Sequence, residues 1–172
     1  MEIAIRKITV NDLNELQSIG KLTFSETFSS GNSKENMKAY LENGFSTEKL
    51  TTELSDPNAE FYFAELEGET IGYLKVNVGQ SHTEIKDHNA LEIERIYVLK
   101  AFHGKKVGQI LYNKAIAIAK EKNVDYVWLG VWEENPRAIR FYEKNGFKAF
   151  DKHVFKLGND EQTDIMMQLQ LN

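Results

Sequence analysis

Two carboxylates, a basic glycine-containing loop, and a tyrosine two helical turns beyond an asparagine are the residues here whose types and spacing could do chemistry. The carboxylates, Glu92 and Glu94, lie in the run Leu91-Glu-Ile-Glu-Arg-Ile-Tyr-Val98. Leu91 and Ile93 alternate with them as apolar positions do on one face of a strand. The apolar set then resumes at Ile96 and Val98, one position out of phase, with Glu94 and Arg95 both polar at the switch. One extra residue produces that slip, which predicts a β-bulge near Glu94–Ile96. A bulge bends its strand away from a neighbour and leaves backbone N–H and C=O groups unpaired. In an interior strand that opens a slot where main-chain atoms can grip a ligand. The same residues also fit a strand end that exposes two charges.

The loop is His103-Gly104-Lys105-Lys106-Val107-Gly108, and it runs into Gln109-Ile110-Leu111 and a long helical pattern. The first turn of a helix carries amides without helical partners and a partial positive charge, which together form an anion site. Gly104 and Gly108 let backbone approach a bulky anion, and Lys105, Lys106 and His103 add positive charge. Two phosphate-binding loops are excluded, since neither G-x-x-x-x-G-K-[ST] nor G-x-G-x-x-G with a following acidic residue is present. The tyrosine is Tyr142, seven residues beyond Asn135 and so along roughly the same helix face. Asn135-Pro136 is itself a strong helix start, with asparagine as cap and proline at the first position. Read alone, this stretch also fits a capped amphipathic helix with a half-buried tyrosine.

The elements that must position these groups follow from pattern. Ile3–Ile8 reads as a first strand, and Thr9 with Asp12 resembles a capping box opening a helix through Leu13, Leu16, Ile19 and Phe24. Lys34–Asn43 and Thr47–Leu54 read as two short helices, the second capped by Ser46. Asp56-Pro57-Asn58 breaks the helix, and Phe61–Leu66 with Thr70–Val78 forms a hairpin about Glu67-Gly68-Glu69. Gln80–Asn89 is a polar connection. Val107–Lys122 is helical and Asn123 suits a left-handed stop. Tyr126–Trp132 has the continuous apolar character of a strand buried on both faces. A helix through Ala138, Ile139, Phe141 and Tyr142 ends at Gly146, and Lys148–Leu157 and Thr163–Leu171 close the chain as strands. The fold class expected is α/β of the α+β type, a mixed sheet with helices packed on it, in one domain spanning 1–172.

Composition narrows the function classes. A chain of 172 residues that is 41% hydrophobic and 27% charged can bury a substantial core. A net charge of −5 argues against general nucleic-acid binding and is compatible with a cationic substrate. Cysteine is absent, which removes thiolate nucleophiles, thiolate metal sites and disulfides. His82, His88, His103 and His153 show no metal-ligand spacing, so no metal is expected. No membrane-spanning run or signal segment is visible, and a cytoplasmic location is expected.

The run Asn135-Pro-Arg-Ala138-Ile-Arg-Phe141-Tyr142-Glu-Lys-Asn-Gly146-Phe147 follows the strand, loop and helix by some thirty residues, and the whole resembles the GNAT (Gcn5-related) N-acetyltransferase superfamily. The resemblance implies the GNAT acyl-CoA N-acyltransferase fold, with a mostly antiparallel sheet and helices on both faces, and acetyl-CoA as co-substrate. The family's pyrophosphate loop, Gln/Arg-x-x-Gly-x-Gly/Ala, falls on His103, Lys106 and Gly108, so two of its three positions differ here. Within the superfamily the chain is most similar to PaiA-type spermidine/spermine acetyltransferases, through Glu35–Glu42, Leu91–Tyr97, Trp128–Glu133 and Glu161–Asp164.

What the resemblance implies for the site is specific. Ile96, Tyr97 and Val98 would accommodate the pantetheine arm, with the Val98 amide as an oxyanion donor. His103, Gly104, Lys105, Lys106, Val107, Gly108 and Gln109 would hold the pyrophosphate, and Asn135, Ala138, Tyr142 and Lys144 would complete the cofactor site. Tyr142 matches the family's general acid, and Glu94, or else Glu92, is the candidate base. The acceptor implied is the primary amine of a polyamine, attacking directly through a tetrahedral intermediate. Glu26, Glu35 and Glu42 are candidates to hold its second cation. The expected partners are this small amine and acetyl-CoA, with no nucleic acid and no membrane, and a homodimer is admitted but not required. The alternatives are acetylation of a protein or peptide amine and a catalytically silent CoA-binding regulatory module.

Overall fold

The computed structural model describes residues 2–171. A seven-stranded sheet runs β1-β2-β3-β4-β5-β7-β6, from β1 (Ala4–Lys7), β2 (Ala59–Leu66), β3 (Glu69–Asn77), β4 (Ala90–Val98), β5 (Tyr126–Trp132), β6 (Lys148–Leu157) and β7 (Asp160–Gln170). Every neighbouring pair is antiparallel except β4 with β5. The expected mixed, mostly antiparallel sheet with helices on both faces is therefore observed. One face carries α1 (Leu13–Phe28), α2 (Lys34–Gly44) and α3 (Thr47–Leu54), whose Leu16, Phe24, Met37 and Leu50 pack with Phe61, Phe63, Tyr73 and Trp132. The other carries α4 (Val107–Glu121) and α5 (Pro136–Lys144), whose Leu111, Ala115 and Tyr142 pack with Leu74, Ile93, Val127 and Leu129. Among the described residues no helix is long and apolar enough to cross a membrane.

Local chemistry sets the element ends. Thr9 and Asp12 form a reciprocal capping box, opening a single 3-10 turn that leads into α1. Ser33 and Ser46 cap α2 and α3, each accepting from the amide three residues on. The Asn135 side chain accepts from the Ala138 amide, with Pro136 in the first turn of α5. Asn123 adopts φ +57° just beyond α4, as its type allows. The last hairpin departs from the sequence pattern. The strand expected to begin at Thr163 begins at Asp160, because polar Asp160, Glu161 and Gln162 pair with Leu157, Lys156 and Phe155 across a two-residue turn. Backbone pairing there needs no apolar alternation.

The bulge in β4 is where the phase slip places it. Val76 of β3 faces Ile93, and Lys75 faces Arg95, so Glu94 is the extra residue. Parallel pairing of β4 with β5 covers only Ala90–Ile93 against Tyr126–Leu129. Beyond the bulge β4 follows β3 alone, while β5 continues along β7 to Trp132. The sheet is thus split between β4 and β5 in its second half.

Candidate active site

The split exposes main chain. The Leu99 amide donates to Ile71 on β3, so odd-numbered amides here point to β3 and those of Ile96 and Val98 point into the split. The Val98 carbonyl also faces it, accepting from His103 Nε2 at 2.9 Å, which ties the loop back to the end of β4. A cavity of about 460 Å³ occupies the split. Ile93, Val131, Ala138 and Tyr142 line it from the α4/α5 face, and Phe24, Tyr40 and Trp132 from the α1/α2 face. It therefore passes through the sheet, and two reactants can meet from opposite sides.

On the α4/α5 side the loop leads into α4 with two lysines, Lys105 and Lys106, next to the helix start. α4 has no side-chain cap and no acidic residue in its first turn, so the Val107, Gly108 and Gln109 amides have no helical carbonyl to meet. Lys106 takes the left-handed conformation (φ +65°) at the position where the family pattern has glycine, and Gly104 is left-handed too (φ +79°). The left-handed turn here is made by a lysine, at a cost on the order of 1–2 kcal/mol. A Cβ added to Gly104 would meet nothing within 4 Å, and one on Gly108 would touch only Val98 Cγ2 at 4.0 Å. Packing inside the chain does not require glycine at 108, which leaves room for a ligand pressed against the backbone. Gln109 Nε2 donates to Asn113 and Asn145 at 3.0 and 3.1 Å, joining α4 to α5. Lys144 is exposed in the last turn of α5, away from the cavity wall.

Tyr142 is almost fully buried, and its ring packs against Phe141 and Phe147. Burial, reinforced by Tyr112, raises its phenol well above the ordinary tyrosine range, so at neutral pH it carries a proton to donate. Asn135 and Ala138 line the cavity beside it.

Four carboxylates, Glu84, Glu92, Glu94 and Asp164, line the cavity together with aromatic side chains. Their surroundings differ. Glu94 sits 2.6 Å from Lys75 Nζ and 3.1 Å from Arg95, and it accepts from Asn77 at 2.8 Å. Burial pushes its carboxyl up, but the charges of Arg95 and Lys75 and the bonds from Lys75 and Asn77 override this and hold it at about 2. The bulge explains the crowding, because Glu94 and Arg95 together oppose Lys75. Glu53 of α3 completes the cluster, 3.2 Å from Lys75 and 3.0 Å from Arg95.

Glu92 is buried and raised by burial, against bonds from Thr83 and Asn77. It accepts from the Thr83 amide at 2.8 Å, Thr83 Oγ1 at 2.5 Å and Asn77 at 2.9 Å. Glu84 pairs with His153 Nδ1 at 2.5 Å. The Asp164 carboxylate has no hydrogen-bond or ion-pair partner among the described residues, and burial pushes it up to about 6, with His153 lowering it and Glu84 raising it.

The structure thus brings Glu92, Glu94, Ile96, Tyr97, Asn135, Ala138 and Tyr142 to one cavity, and sets Val98 and the 103–109 loop at its α4 edge. It does not bring the three helix carboxylates there. Glu26 accepts from the Lys100 amide at 3.0 Å, Glu42 borders a separate groove and Glu35 is at the surface. Sequence reading missed Thr83, Glu84, His153 and Asp164. The first two lie in a stretch read as a polar connection. The last two meet only through the β6–β7 register, where His153 is opposite Asp164.

A sheet split beside a bulge, a basic loop feeding an uncapped helix and a cavity crossing between them define an acyl-CoA N-acyltransferase architecture. The acetyltransferase (GNAT) family model matches residues 19–147, and the chain belongs to that family. It is 40% identical over 169 residues to an uncharacterised N-acetyltransferase from the pepI 3' region of Lactobacillus delbrueckii subsp. lactis, covering 98% of each chain. It is 29% identical over 155 residues to a spermidine N(1)-acetyltransferase of Thermoplasma acidophilum, covering 88% of this chain and 91% of that one. The PaiA N-acetyltransferase of Thermoplasma acidophilum, solved in complex with coenzyme A, superposes with a TM-score of 0.82 at 26% identity, with 99% of each chain covered.

Proposed function

We propose that this chain is an acetyl-CoA-dependent N-acetyltransferase whose acceptor is the primary amine of a small polycation of the spermidine class. The observation that carries the reading is the cavity. Its α1/α2 side joins four carboxylates to the aromatic faces of Phe24, Phe28, Tyr40 and Trp132, a lining suited to ammonium groups on an alkyl chain. The likeness to a spermidine acetyltransferase and to a coenzyme A complex points the same way.

Acetyl-CoA supplies an activated acetyl thioester. The free amides of α4's first turn, with Lys105 and Lys106, bind its pyrophosphate. The Ile96 and Val98 amides, which point away from β3, hold the pantetheine arm, and that of Val98 donates to the oxyanion as it develops. Tyr142 gives a proton to the departing sulfur. Glu94, saturated by two cations, is a weak base, and with Glu92 it shapes the field that draws the ammonium in. This departs from the expectation that Glu94 takes the proton.

The test is thiol release from acetyl-CoA with spermidine and spermine, monoamines of matched length, and a peptide amine. The polyamines should show the highest kcat/KM, and their KM should rise with ionic strength as salt screens the second cation. Equal kcat/KM for a monoamine or peptide would remove the polyamine reading and leave the acetyltransferase one standing.

A further inference from the structure

Four carboxylates face the cavity, and three of them are already engaged. Glu92 accepts three hydrogen bonds, Glu94 is held by Lys75, Arg95 and Asn77, and Glu84 is bonded to His153. Asp164 alone among these four has no hydrogen-bond or ion-pair partner among the described residues. Its place is made by a gap in the neighbouring strand. Trp132 of β5 lies opposite Asp164, and the Asp164 side chain leans over Gly130, where an added Cβ would lie 3.2 Å from Oδ2. Any larger residue at 130 would crowd the carboxylate. Asp164 also shares a sheet face with Trp132 and Gly130, the face that α1 and α2 cover. It therefore stands on the side from which an acceptor enters, while Tyr142 stands on the other.

Resting on the reading that this site acetylates an amine, we propose that Asp164 is the proton acceptor for the incoming ammonium. An N–H bond of the ammonium breaks, its electron pair stays on nitrogen, and an O–H bond forms on Asp164, which then passes the proton to water. The lone pair of the neutral amine forms the N–C bond to the thioester carbon as the C=O π pair moves onto oxygen. As that pair re-forms C=O the C–S bond breaks, Tyr142 gives its proton to the sulfur, and the second proton of the nitrogen passes to water, from which Tyr142 is reprotonated. The groups that act on Asp164 electrostatically are His153 on β6, Glu84 after β3, Tyr40 on α2 and Tyr97 on β4. A carboxyl lifted to about 6 is mostly ionised at neutral pH, and it is a stronger base than one held at about 2.

The experiment is the pH dependence of kcat/KM for Asp164→Asn and His153→Gln against the parent enzyme. It uses acetyl-CoA and whichever amine of the panel the parent turns over best. The parent should show an acid limb near pH 6. Asp164→Asn should lose that limb and lower kcat by about 10²-fold or more, with KM changed only a few-fold and the acetyl-CoA thermal shift intact. His153→Gln should keep the limb. The proposal is overturned if Asp164→Asn retains the parental kcat, even with a raised KM, since the carboxylate would then only attract the cation. It is overturned equally if the limb survives in Asp164→Asn and vanishes in His153→Gln. A parent that turns over no amine sinks the acetyltransferase reading and this proposal together, whereas an active parent with an unchanged Asp164→Asn profile sinks this proposal alone.

Discussion

Replacing Glu94 by glutamine separates a structural role from a catalytic one. The side chain keeps its shape but loses the charge that faces Lys75 and Arg95, whose side chains are only 7% and 13% exposed. Removing one partner of a buried ion pair typically costs about 3–5 kcal/mol. Glu53 remains within 3.2 Å of both cations and softens the loss. A second estimate comes from linkage. A carboxyl ordinarily at 4.5 and held at about 2 in the folded chain contributes about 3 kcal/mol of stability at neutral pH. Because the folded pKa is depressed, that contribution is fully present above pH 4.5 and is lost as pH falls toward 2. Urea unfolding at pH 7 should therefore show Glu94→Gln about 3 kcal/mol less stable than the parent. At pH 3 the gap should be smaller. A loss under about 0.5 kcal/mol at pH 7, with kcat reduced 10²-fold or more in the folded variant, would refute the argument. That result would mean that Glu94 takes the proton and that the ion cluster contributes little.

Two further outcomes bear on the cofactor side. Saturating acetyl-CoA at 100 times its Kd should stabilise the protein by about 2.7 kcal/mol, and Gly108→Val should abolish most of the resulting thermal shift without unfolding the chain, because only Val98 Cγ2 comes near that position. An unchanged shift would place the cofactor elsewhere. Tyr142→Phe should keep the acetyl-CoA shift while kcat falls by about 10²–10⁴-fold, and full kcat in that variant would reduce Tyr142 to a packing residue.

The features legible in sequence were those set by residues close together along the chain. The bulge at Glu94 showed as a phase slip, because an extra residue displaces every later side chain of its strand to the opposite face. The Thr9, Ser46 and Asn135 caps showed because a cap and the amide it satisfies lie within one turn. What stayed hidden depends on register between distant segments. Nothing near Glu92 indicates that Thr83 will hold it, and nothing near His153 indicates that Asp164 will lie opposite on the next strand. The loop's tolerance of lysine at 106 was equally invisible, since only the backbone shows that the residue turns left-handed. One signal for Asp164 does exist in the sequence. Gly130 interrupts an otherwise apolar strand, Tyr126–Trp132, at a cost in packing and chain entropy. A glycine in such a place marks a close approach by another group. Here that group is an unpaired carboxylate against bare backbone. The missing side chain is therefore better read as room kept for a reacting group than as a defect in the sheet.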